Sequence, residues 1–269
     1  MTTPPASSDP WAAGEPYERF MGRWSRPIAH SFINWLALPP DFHWLDLGCG
    51  TGALTETILA EAAPASVAGV DPSEGFIAYA RHRLTDPRAV FHIGDAVNLP
   101  PLKRPLRAAV SGLALNFIPD PLGALHALTQ VVHPGGTLAA YVWDYAGRME
   151  MLRYFWDAAA ALDPAALALD EGRRFPLCRP EALVDLFTRA ALHDITVRGL
   201  DIPTAFASFD DYWSPFLGGQ GPAPGYVAQL PPHARAALAA HLRAALPIMP
   251  DGTLALVARA WAVRARQPG

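Results

Sequence analysis

The chain has 269 residues, 51% of them hydrophobic and 17% charged, with a formal net charge of −4. This is ample material for a large core, which excludes bulk disorder, and the acidic balance offers no basic face for a nucleic acid. Two cysteines, Cys49 and Cys178, are too few for a disulfide framework or a zinc cluster. No apolar run reaches ~18 residues and no leader-like segment opens the chain, so the expectation is a cytoplasmic protein without a membrane span.

Residues 1–14 hold Pro, Ser, Thr, Ala and Gly and read as a disordered tail, with 15–269 as a single domain. From Tyr17 to Leu38, Phe20, Trp24, Ile28, Phe32 and Trp35 recur at helical spacing until Pro39-Pro40 ends the pattern. Strand–helix alternation follows. Strands are predicted at 43–47, 66–70, 89–93, 108–113 and 137–143, with helices at 53–63, 73–84 and 120–132. Pro134-Gly135-Gly136 reads as the turn into the fifth strand. The alternation predicts a parallel sheet covered on both faces, with ligands at the carboxyl ends of the strands.

After the fifth strand the rhythm changes. Helices are predicted at 147–162, 180–191 and 232–246, and strands at 194–200 and 253–263. Stretches 145–179 and 203–250 read as inserts that cap the sheet. Their aromatics, Phe155, Trp156, Trp213 and Phe216, suit a partly apolar acceptor, or alternatively the inserts' own core. The Gly- and Pro-rich run 218–225 reads as a loop able to hinge a lid.

The chemistry concentrates in Asp46-Leu47-Gly48-Cys49-Gly50-Thr51-Gly52. A short apolar strand runs into three glycines at alternate positions and then a helix. Such a turn tolerates positive φ and keeps side chains off a bound group. Asp71, ending the second strand, can accept hydrogen bonds from a ribose diol. The glycines alone also satisfy a dinucleotide fingerprint, so an NAD(P)-dependent oxidoreductase is one alternative. Asp46 argues against it. A carboxylate there suits a cationic ligand group and sits awkwardly beside a pyrophosphate. Gly94-Asp95-Ala96 lies where an adenine edge would be read, and no second βαβ half follows the fifth strand.

Together with Asn116-Phe117-Ile118-Pro119-Asp120 and Pro134-Gly135-Gly136, these residues resemble the class I S-adenosylmethionine-dependent methyltransferases, in particular their small-molecule group. The resemblance implies a Rossmann-like α/β fold, a seven-stranded sheet of order 3-2-1-4-5-7-6 with the last strand antiparallel and a helical cap. It implies S-adenosylmethionine as cofactor, S-adenosylhomocysteine as product, and a small-molecule acceptor. Cofactor contacts are implied for Asp46, Gly48, Cys49, Gly50, Asp71, Pro72, Asp95, Ala96 and Leu113, and for Tyr17 and Arg23 from an N-terminal helical lid. Asn116, Asp144, Tyr145 and Trp213 are the substrate candidates. No catalytic residue stands out, since His30, His126 and His133 read as surface or packing histidines. A non-catalytic binding protein on this fold is the remaining alternative.

Overall fold

A computed structural model describes residues 18–102, 105–218 and 221–269. Tyr17 and the N-terminal tail lie outside the described residues. The sheet comprises β1 (His43–Leu47), β2 (Ser66–Asp71), β3 (Ala89–Ile93), β4 (Leu106–Gly112), β5 (Val132–Trp143), β6 (His193–Phe206) and β7 (Leu254–Arg266). Its order is β3-β2-β1-β4-β5-β7-β6. Strands β1 to β5 pair in parallel, and β7 runs antiparallel to both of its neighbours. Order and polarity are those the resemblance implies.

The helices in chain order are α1 (Arg23–Leu36), α2 (Ala53–Glu61), α3 (Glu74–Arg83), α4 (Pro121–Val131), α5 (Glu150–Leu162), α6 (Glu171–Arg174), α7 (Pro180–Arg189), α8 (Phe209–Trp213), α9 (Pro222–Gln229) and α10 (Pro232–Ala245). Local chemistry sets several starts. The Ser73 hydroxyl accepts from Phe76 N at 3.3 Å ahead of α3, and Asp120 accepts from Gly123 N at 2.9 Å ahead of α4, which opens on Pro121. The central strands are mostly apolar because helices cover both faces, and Ala108, Ala109 and Val110 of β4 are fully buried. Helix α1 lays Ile28 and Phe32 into this core, with the Phe32 ring 4.6 Å from that of Tyr141 on β5.

Three segments differ from the sequence expectation. Pro134-Gly135-Gly136 is not a free turn, because β7's end supplies partners for its backbone. Gly135 N donates to Gln267 O, Gln267 N donates to Gly136 O, and β5 runs from Val132 with a register shift opposite Leu106 and Ala108. Strand β6 runs on to Phe206, through Pro203, which an edge strand tolerates. The predicted hinge at 218–225 is overtaken by α9, which begins at Pro222.

The aromatics between β5 and β7 largely pack on one another. Phe155 stacks on Phe216 at 4.6 Å, Trp213 on Phe209 at 6.4 Å, and the Tyr212 hydroxyl donates to Met151 O. Beneath them lies a buried acid pair. Asp170 accepts from the Arg153 guanidinium and from Gly172 N at 2.8 Å. Its neighbour Glu171 accepts from Trp156 Nε1, and burial pushes its carboxyl up to about 7. A raised acid holds its proton more tightly when folded. Its stabilising contribution is therefore complete below the ordinary glutamate range and is lost as pH rises toward 7. Glu171→Gln should abolish that fall, so the stability gap between variant and parent changes from about pH 4.5 to about pH 7 and is flat above. Urea unfolding across the range measures it, and a pH-independent gap would rule out the assignment.

Candidate active site

A cleft of about 330 Å³ opens at the carboxyl ends of β1, β2, β4 and β5, within the range of small-molecule sites. Its floor is the turn from Gly48 to Gly52. Gly48 N and Cys49 N both donate to Val70 O, at 2.7 and 3.1 Å, which pins the turn to the end of β2. Gly48, Gly50 and Gly52 all have positive φ, at 71°, 52° and 87°. A Cβ on Gly48 would stand 2.4 Å from the Ala114 Cβ, whereas one on Gly50 would meet nothing within 4 Å. The space beside Gly50 is the cleft itself.

Two carboxylates sit at the strand ends. Asp46 is fully buried; its Oδ2 accepts from the Thr55 hydroxyl at 2.7 Å, while its Oδ1 has no partner. Desolvation pushes its carboxyl up to about 7, with the neighbouring Asp71 adding to the effect. Asp71 accepts from Gly50 N at 2.9 Å and Ser73 N at 2.8 Å, bonds that counter part of the upward push of burial. Asp95, past β3, is exposed and accepts from Val97 N at 2.9 Å and Asn98 N at 2.7 Å, which hold its carboxyl below the usual range.

Opposite these acids the wall comes from the ends of β4 and β5 and from α1. Leu113 is held left-handed at φ 58° while its N donates to Tyr141 O at 2.8 Å. A branched side chain in that region costs on the order of 1–2 kcal/mol, so the wall carries backbone strain at the cleft. Phe117, Ile118, Tyr141, Trp143, Tyr145, Met21 and Ser25 complete it.

Asp46, Gly48, Cys49, Gly50, Asp71, Pro72, Asp95, Ala96, Leu113 and Tyr145 thus share one cleft. Four other candidates stand apart from its lining. Asp144 accepts from Gly147 N and Arg148 N, each at 3.0 Å, and shapes the turn after β5. Trp213 packs within the segment after β6. Arg23 donates to both oxygens of Asp211, at 2.9 and 3.4 Å, tying the start of α1 to α8. The Asn116 amide is covered and has no hydrogen-bond partner. His30 pairs with Glu61, and His133 faces Pro134 O; neither lines the cleft, nor does His126. No group of metal-binding side chains occurs among the described residues, and no described helix is long and apolar enough to cross a membrane.

The residues missed by sequence reasoning carried a signal. Tyr141 and Trp143 follow period two along one strand face, and Met21 and Ser25 are four residues apart, a helical spacing.

Residues 45–136 match a family described as a methyltransferase domain. Among curated relatives, the trans-aconitate 2-methyltransferase of Sinorhizobium fredii is 30% identical over 255 residues, 91% of this chain and 94% of that protein. The chain belongs to the class I S-adenosylmethionine-dependent methyltransferases. The trans-aconitate 2-methyltransferase of Methylobacterium radiotolerans is 32% identical over 65% of this chain, and the match spans 66% of that relative, just under two thirds of its length. A solved structure, phosphoethanolamine N-methyltransferase 2 of Haemonchus contortus with phosphomonomethylethanolamine and S-adenosylhomocysteine, shares the fold. Its TM-score is 0.56 at 15% identity, over 94% of this chain and 56% of that one. Methyl transfer from S-adenosylmethionine is the reaction of this family, and small molecules give these relatives their names.

The turn has no tolerance for a methyl group at Gly48. Gly48→Ala meets both the 2.4 Å overlap with Ala114 and a positive φ. The expected loss is at least about 2 kcal/mol of stability, read by urea unfolding. Gly50→Ala, which meets open space, should lose only the φ penalty, about half as much. Equal losses for the two variants would refute this picture of the turn.

Proposed function

We propose that this chain transfers the methyl group of S-adenosylmethionine to a small-molecule acceptor within the cleft, the acids at β1, β2 and β3 holding the cofactor. The observation that carries this is Asp46, a buried carboxylate with one oxygen unpartnered at the cleft. An unpaired buried charge is costly, and a ligand ammonium removes that cost. The donor set fits the group. Asp46 Oδ1 would take the methionyl ammonium, Asp71 the ribose diol, and Asp95 with the Ala96 N–H the adenine edge. Gly48, Cys49 and Gly50 would present their backbone, with Pro72 and Leu113 flanking; Tyr17 belongs to the same reading by its sequence context.

When bound, the cofactor supplies an electrophilic methyl group on a cationic sulfur. The chain's own task is alignment and water exclusion. Holding an acceptor in line can supply roughly 7–11 kcal/mol. A protein base is needed only where the acceptor's nucleophile is protonated at working pH. Trans-aconitate enters as a candidate acceptor through the relatives' names.

The test is calorimetric. Because burial pushes the Asp46 carboxyl up to about 7, cofactor affinity should rise as pH goes up through that value, as the carboxylate that meets the ammonium ionises. Asp46→Asn should flatten this profile and weaken binding. It should leave 5′-methylthioadenosine, which lacks the ammonium, bound as before. Equal weakening of both ligands would sink the role given to Asp46. Asp71→Ala should cost about 1.5–3 kcal/mol for both ligands, the range of charge-assisted hydrogen bonds; an unchanged dissociation constant would refute the ribose contact.

A further inference from the structure

A second hollow lies at the end of the sheet opposite the cleft. It measures about 480 Å³ and sits where the chain leaves α1, beside the β5 residue Thr137, the start of β6 and the end of β7. Thr137 lines this hollow, while Trp143, roughly 20 Å further along the same strand, lines the cleft.

Strand pairing sets which side chains meet there. Thr137 of β5 stands opposite Arg266 of β7, and Thr196 of β6 stands opposite Arg264. Paired residues share a face, as do alternate residues along one strand, so both threonines and both arginines lie on the side covered by α1. Leu36, Leu38 and Pro39 line the hollow at the end of that helix.

The fold does not use up the polar groups of the hollow. Arg264 directs Nη1 to the carbonyls of Trp35 and Leu36, each at 3.3 Å, and its guanidinium lies 4.9 Å from the Trp35 ring centre. These contacts hold the group in place and leave its Nε and Nη2 without a hydrogen bond among the described residues. Arg266 gives Nη1 to Gly135 O at 3.1 Å. Neither guanidinium meets a carboxylate among the described residues. Thr137 is only 2% exposed, and its hydroxyl oxygen is buried without a partner. The one acid of the lining, Asp194, pairs with its neighbour His193 at 3.0 Å.

Two cations against one engaged acid give the hollow a positive balance. The carbonyls that end α1 disfavour an anion, but Arg264 already covers two of them. A buried hydroxyl without a partner is costly, and an incoming acceptor removes that cost. Arginine forks match phosphate oxygens in geometry and charge. A tetrahedral phosphate offers three oxygens to three separate donors, Arg264, Arg266 and Thr137, where a carboxylate offers two.

We propose that this hollow is a second ligand site, separate from the methyl-transfer cleft, for a small phosphate monoester. The phosphate sits between Arg264 and Arg266 and accepts from the Thr137 hydroxyl. The carbon part of the ester lies against Leu36, Leu38 and Pro39.

The experiment is titration calorimetry on the full chain with phenyl phosphate, inorganic phosphate and benzoate, each with and without saturating S-adenosylhomocysteine. Phenyl phosphate should bind with one-to-one stoichiometry, more tightly than either other probe, and binding should survive the addition of S-adenosylhomocysteine. Arg266→Gln should weaken it roughly tenfold and Thr137→Val roughly fivefold, with thermal midpoints confirming that both variants fold. Arg189→Gln, on the exposed surface of α7, should change nothing. Four results overturn the inference: no binding of phenyl phosphate at millimolar concentration, its displacement by S-adenosylhomocysteine, tighter binding of benzoate, or full binding retained in both site variants, which marks an adventitious anion elsewhere on the surface.

Discussion

Asp46 is the constraint on which the rest of this structure turns. It lies next to the end of β1, keeps one oxygen on Thr55, and leaves the other without a partner. Nothing in folding alone rewards such a residue, since an apolar side chain there would spare its desolvation. The chain instead holds the carboxyl near its point of ionisation, at about 7. In that state a cation brought beside it would favour the ionised form, the proton passing to solvent. Asp71 beside it raises the penalty further, so Asp46 responds the more to positive charge in the cleft.

The glycine turn follows from the same need. In the proposed reading the donor's methionyl arm lies close to this backbone, and a Cβ at Gly50 would occupy that space. The turn could be loose, but it is not. Two of its amides share the Val70 carbonyl, and a third, that of Gly50, reaches Asp71. The carboxylate proposed to read the ribose is thereby fixed in the same network as the loop proposed to cradle the methionyl group. Strain at Leu113 on the opposite wall is of a piece with this, because the Tyr141 carbonyl dictates its backbone. Local unfavourable conformations are held by the parallel sheet beneath them.

Much of this was legible in the sequence, for identifiable reasons. Strand–helix alternation fixed the parallel half of the sheet, and the spacing of Asp46, Gly48, Gly50, Asp71 and Asp95 placed them at one edge, because topology puts every strand's carboxyl end there. What was not legible depends on contacts remote in sequence. Pro134-Gly135-Gly136 reads as a turn until Gln267, at the far end of the chain, supplies its partners. Asp144 reads as a polar group at the ligand edge until its carboxylate is found bonded to the amides of Gly147 and Arg148. Arg23 reads as a cofactor contact until Asp211 is seen to take it. In each case a polar residue in a suggestive place has a nearer use in holding the backbone.

In the proposed reading the acids at β1 to β3 suit a positively charged donor, while the described lining at the ends of β4 and β5 adds no charged side chain. A cation placed on that wall to hold an anionic acceptor would lie across the same cleft from Asp46 and Asp71. It would pull their carboxylates toward itself and compete with the ammonium for them. Phe117, Tyr145 and Phe175 meet on that wall from three separate connections. Connections of that kind vary more freely than a sheet, so one donor site can serve many acceptors across a family while the strand ends stay as they are.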